Sequence, residues 1–227
     1  MKKLYFTILL CSIQIFGITV LSSAKEINKI VTIDPGHGTK NSRGGAEGEK
    51  EYAMVLSLIL KEKLEKEGVT VYLTHTKTDR SEDLGKDYNE DNINRALFSN
   101  NKKSDLYFRV HFDAGNGRAG IYYPEKHPDP KVGEESKKAS EIIFKNIMET
   151  VKSTKEKYSA RVLTDGETLV GSQNNGLLTG SKYSERTTVL IEVLPLSKSA
   201  LEWIADKNNQ EMYAAAVKNG ITEYLGK

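Results

Sequence analysis

Along the chain, short runs of apolar residues alternate with longer segments in which apolar residues recur every three or four positions. The runs read as strands and the segments as amphipathic helices. Residues 30–33 form the first run, which is stopped by Asp34-Pro35-Gly36. Residues 49–67 read as a helix closed by Gly68, with Val55, Leu56, Ile59, Leu60 and Leu64 at helical spacing. Further strands are predicted at 69–73, 106–112, 121–123 and 188–194. Further helices are predicted at 94–102, at 134–151 and, in one or two pieces, at 199–225. The polar stretch 81–92, the glycines Gly44, Gly45 and Gly48, and the proline-bearing stretch 124–133 read as loops. Strands alternating with helices predict an α/β fold: a single domain with a mostly parallel twisted sheet flanked by helices on both faces. In such folds sites gather beyond the C-terminal ends of the strands.

Composition narrows the class. With 227 residues, 38% hydrophobic and 28% charged, the chain can bury a core and does not resemble a disordered one. A formal net charge of +2 gives no bulk reason to expect nucleic-acid binding. The N-terminus changes the picture further. Lys2-Lys3 precedes a charge-free, mostly apolar stretch from Leu4 to Leu21, and Ser22-Ser23-Ala24 follows. That is the pattern of a secretory signal peptide over residues 1–24, ahead of a domain at 25–227. The competing reading is an uncleaved membrane anchor, since the stretch is just long enough to span. The expected location is outside the cytoplasmic membrane. Cleavage would remove Cys11, the sole cysteine. A metal would then have to be held by His, Asp or Glu.

Four polar residues stand in costly places. In 106–113, Leu106, Phe108, Val110 and Phe112 share one strand face, while Tyr107, Arg109, His111 and Asp113 share the other. His111 there is a hydrogen-bonded core residue or a ligand. His37, in Asp34-Pro35-Gly36-His37-Gly38, is an exposed turn residue or a rigidly presented imidazole. Glu49 opens a helix, where the macrodipole alone favours an acid. Glu192 lies within the apolar run 189–194, where an unpartnered carboxylate is expensive. It is either functional or paired with Arg95 or Arg109. Two His and one Glu would make the open three-ligand set of a catalytic zinc site, with a further carboxylate as general base. His75 and His127 are rival ligands; His127 reads as solvated.

Taken together these residues resemble the zinc-dependent N-acetylmuramoyl-L-alanine amidases of bacterial cell walls, of the type-3 amidase fold. The resemblance runs from about residue 29 to 225. It rests on Asp34 to Gly38, on Glu49-Lys50, and on Thr74-His75 followed by Asp79. It continues through Arg95 and Asn100, Asp105-Leu106-Tyr107 with His111, and Val189 to Glu192. It implies that His37, Glu49 and His111 bind Zn2+ and that Glu192 is the catalytic carboxylate. It implies hydrolysis of the amide between N-acetylmuramic acid and L-alanine, with peptidoglycan of the cell wall or spore cortex as substrate. The chain departs from the family pattern at Thr39, Ala53, Arg109, Asp113 and 194–198. Arg109 is expected to contact substrate or pair with Asp113. A zinc peptidase acting on the stem peptide and a non-catalytic wall-binding protein remain the alternatives. With no separate wall-binding module in the sequence, an activating or localising protein partner is a further expectation.

Overall fold

The structure, a computed structural model, describes residues 28–42, 48–113, 119–151, 160–195 and 198–227. The expectations for residues 1–24, for Gly44 and Gly45 and for 196–197 lie outside the described residues. The chain runs β1 (Ile30–Pro35), α1 (Glu49–Lys66), β2 (Thr70–Leu73), α2 (Tyr88–Asn101), β3 (Leu106–Asp113), β4 (Ala119–Tyr123) and α3 (Pro130–Val151). It continues through β5 (Ala160–Thr164), a 3-10 turn (Asp165–Glu167), α4 (Leu169–Gln173), α5 (Thr179–Lys182), β6 (Thr188–Pro195), α6 (Lys198–Ala205) and α7 (Lys207–Leu225).

The strands form a six-stranded sheet in the order β2-β1-β3-β6-β4-β5. β2, β1, β3 and β6 are parallel. β4 runs antiparallel to β6 and carries β5 parallel to itself. The expected mostly parallel sheet is therefore present, with a reversed pair at one edge.

The alternation along β3 explains how the sheet divides its faces. Phe108, Val110 and Phe112 are buried together with Val31, Ile33, Val189 and Ile191 on one face. That face packs on Leu56, Leu60 and Leu64 of α1, Ile143 and Ile147 of α3, and Val217 and Ile221 of α7. Each large aliphatic side chain so buried contributes about 1.5–3 kcal/mol. The opposite face carries Thr32, Asp34, Tyr107, Arg109 and Thr188, all buried. α2 covers it, with Arg95 bonded to Asp34 and α5 packed alongside.

Local chemistry sets the helix starts. Gly48 has φ 85°, a left-handed conformation that glycine adopts at little cost, and the chain enters α1 directly at Glu49. Asp87 accepts the Glu90 N–H at 2.9 Å and starts α2 at Tyr88, inside the stretch expected to be loop. The polar look of 81–92 misleads because the inner side of α2 meets a polar sheet face, not the apolar core. Pro130 opens α3, a position where its missing N–H costs nothing, so the proline-bearing stretch is partly helix. The C-terminal segment is in two pieces, α6 and α7, with Asp206 capping the second.

Candidate active site

Two rows of side chains floor a cleft of about 440 Å³ on the polar face of the sheet. Residues paired across neighbouring strands point to the same face. At one level the register pairs His111 with Glu192, Glu192 with Gly120, and Gly120 with Arg161. One level below, it pairs Asp34 with Arg109, Arg109 with Leu190, Leu190 with Tyr122, and Tyr122 with Leu163. The upper row is polar and has a gap at the glycine; the middle of the lower row is apolar.

Three segments meet at the His111 end of the upper row. His111 comes from the end of β3, His37 from the turn after β1, and Glu49 from the first position of α1. Glu49 Oε1 lies 3.0 Å from His37 Nε2, 3.2 Å from His111 Nδ1 and 3.2 Å from the Phe112 backbone N–H, which donates to it. The imidazoles meet edge to face with centroids 5.0 Å apart. One ligand atom from each of these residues lies within 4.8 Å of the others, a group that could hold a metal ion.

The electrostatics suit a cation. Burial pushes the Glu49 carboxyl up, but the hydrogen bonds and charges of His111 and His37 outweigh it and hold the group well below the ordinary carboxylate range. The His111 pKa is lowered, chiefly by burial, which favours the neutral imidazole that a metal requires. A buried carboxylate oxygen flanked by two imidazole nitrogens is a donor set that fits Zn2+.

A buried charge network fixes the turn that carries His37. Asp34, 0% exposed, accepts from Arg95 at 2.8 Å, Thr74 at 2.6 Å, Tyr107 at 2.9 Å and Arg109 at 3.2 Å. Burial pushes Asp34 up, yet Arg95 and Arg109 hold it far below the usual carboxylate range. Arg95 also donates to the carbonyls of Pro35 and His37, each at 3.0 Å, and to Asp91 at 2.6 Å. Thr39 bridges Arg95 and Asp91 at 2.8 and 2.6 Å, so this departure from the family pattern is part of the clamp. The turn needs the clamp because His37 has φ 58°, an uncommon conformation for a side-chain-bearing residue. Gly36 is required for a different reason. A Cβ there would stand 2.8 Å from His111 Nδ1 and 2.9 Å from the Val110 carbonyl.

The remaining expectations separate cleanly. Arg95 and Arg109, the suggested partners of Glu192, are turned to Asp34 and Asp91. Arg109 is 4% exposed and also donates to Asn92 at 3.2 Å; the side chain of Asp113 lies outside the described residues. His75 lies outside the group of three, buried behind the turn, with Nδ1 3.2 Å from the Thr74 hydroxyl. His127, expected to be solvated, is half-buried and bonded: its Nδ1 accepts from the Asp129 N–H and its Nε2 lies 3.0 Å from the Ser184 carbonyl. This pins the start of α3 to the approach to β6. Sequence reasoning missed the far cleft wall, formed by Arg161, Glu167, Leu169 and Val170. Of these, Leu169 (73%) and Val170 (45%) stand exposed, a property that the fold and not the sequence reveals.

A family model described as N-acetylmuramoyl-L-alanine amidase matches residues 31–223. An endolysin of Bacillus phage SPP1 is 30% identical over 124 residues, covering 53% of this chain and 44% of the relative. The match thus spans less than half the length of that curated relative. The crystal structure of N-acetylmuramoyl-L-alanine amidase from Clostridium difficile 630 superposes with TM-score 0.68 at 21% identity, covering 88% of this chain and 98% of that one. The CwlD amidase from Clostridioides difficile, in complex with the GerS lipoprotein, superposes with TM-score 0.65 at 23% identity over 88% and 99%. At those identities the likeness is one of fold.

Proposed function

The chain belongs to the N-acetylmuramoyl-L-alanine amidase family, and from that premise we propose that it is an exported, zinc-dependent hydrolase of the amide joining N-acetylmuramic acid to L-alanine in peptidoglycan. The observation that carries this reading is the convergence of His37, Glu49 and His111, from three segments far apart in the chain, beside Glu192.

His37, Glu49 and His111 would hold the ion. When bound, zinc supplies Lewis-acid activation of a carbonyl and of water. The protein's own part is positional and protolytic. Phe112 N–H and the two imidazoles orient Glu49. Glu192 points to the same face as His111 from the neighbouring strand. In this reading its carboxylate takes a proton from the attacking water and returns it to the departing alanine nitrogen. The Arg95–Asp34–Asp91 clamp keeps His37 in place throughout.

Export rests on the charge-free stretch Leu4 to Leu21 ahead of Ser22-Ser23-Ala24. Among the described residues no helix is long and apolar enough to cross a membrane. The complex of the CwlD relative supports a protein partner for this chain as a subsidiary proposal.

The test combines metal analysis with product analysis on purified peptidoglycan. Glu192→Gln should retain zinc and lose turnover by roughly 10²–10⁴-fold, the usual worth of a general acid–base group. Near-normal turnover would remove Glu192 from the role. Products cut within the stem would replace the amidase reading with a peptidase.

A further inference from the structure

The upper row of the cleft floor extends past Glu192. Gly120 comes next and Arg161 ends it, on the outermost strand β5. Register makes Arg161 face the same side as His111 and Glu192, and its side chain lines the cleft. Two strand spacings separate Arg161 from Glu192, about 10 Å. Between them the side of the row belongs to Tyr122. A Cβ at Gly120 would lie 2.9 Å from the Tyr122 ring, so the ring occupies the place a larger residue would fill. The cleft therefore runs from the His37–Glu49–His111 group, along an aromatic floor, to an exposed guanidinium. The other charge on that wall, Glu167, accepts the Thr164 N–H at 2.8 Å and its hydroxyl at 3.3 Å, within the capping box of the 3-10 turn. Among the described residues, Arg161 is thus the exposed cation presented to a ligand lying along this trough.

We propose that Arg161 is a specificity-determining residue that pairs with the free α-carboxylate of the acidic residue following L-alanine in the stem peptide. This deepens the amidase reading and rests on it. With the scissile amide beside Glu192, that carboxylate lies about two residue lengths away, roughly 7 Å. The flexible Arg161 side chain spans the remainder. A guanidinium receives a carboxylate through two parallel hydrogen bonds, and it has no such match with a carboxamide. Leu169 and Val170, on the same wall, give the alanine methyl of the stem an apolar lip to lie against.

The test uses two muramoyl-peptides that differ only in whether this α-carboxyl is free or amidated. The unchanged chain should favour the free acid roughly tenfold to hundredfold in kcat/KM, the range expected of a charge-assisted contact. Arg161→Gln should lose that preference through KM, with kcat little changed and turnover of the amidated substrate retained. Arg161→Lys should recover part of it. The released free-acid peptide, titrated calorimetrically, should bind the unchanged chain more tightly than Arg161→Gln. Turnover without discrimination by the unchanged chain overturns this proposal alone. So does discrimination surviving in Arg161→Gln, or a loss equal on both peptides that follows glycan length. No turnover of either peptide by the unchanged chain overturns the amidase reading, and this proposal with it.

Discussion

His75 and Asp34 sit behind the same turn and titrate in different windows. His75 is 2% exposed, and burial, then the Arg95 charge, push its pKa down to about 4. Asp34, Glu82 and Asp91 pull upward and are outweighed. In the unfolded chain a His titrates near 6.5. Between about 6.5 and 4 the unfolded chain therefore binds a proton that the folded chain does not. Stability is full above this window and falls as pH drops through it, by at most about 3 kcal/mol. Asp34 works in the same direction lower down: its folded pKa is depressed, so its contribution is lost only as pH falls below the ordinary carboxylate range. Urea unfolding at pH 7.5 and 4.5 measures the His75 share. His75→Gln should show a clearly smaller loss over that interval than the unchanged chain; an equal loss would mean that other groups set the response.

Among the elements, β1, β3 and β6 were legible because each couples an apolar core face to a few polar residues on the other. Alternation in β3 alone put Arg109 and His111 on one face before any fold was known. The same physics hid the first half of α2, ahead of the helix expected from 94, because its inner surface packs on charge and so lacks an apolar stripe. It also hid β5 and the short α4 and α5. β5 is an outermost strand with one covered side, and helices of four or five residues carry too few positions for periodicity. Glu192 was readable as costly from its run alone, whereas Glu49 was not, because an acid at a helix start has an ordinary explanation. The turn after β1 gives a prediction at this scale. Gly36→Ala places a methyl 2.8 Å from His111 Nδ1 without removing any donor. Metal affinity should fall by roughly 10–100-fold, the usual effect of disturbing a ligand's support. Competition with a chromophoric chelator measures this, and unchanged affinity would show that turn and strand can part without consequence.

At the scale of the whole molecule, the candidate ligands tie the ends of the paired strands β1 and β3 to the first residue of α1. His37 hangs from β1, Glu49 opens a helix packed on the apolar face, and His111 ends β3 on the polar face. An ion held by all three would link the two sides of the sheet across its end. A ligand that binds only the folded chain stabilises it by mass action, about 2.7 kcal/mol at a free concentration one hundred times its Kd. For a domain of this size each kcal/mol moves Tm by about 2–4 °C. Zinc at that excess should therefore raise Tm by about 5–11 °C over chelator-treated protein. His111→Ala should abolish most of this response, whereas Glu192→Gln should retain it, since Glu192 is assigned to proton transfer and not to ligation. A response lost in both variants would move Glu192 into the ligand set. A response absent from the unchanged chain would leave the convergence of these three residues without the ion proposed for it.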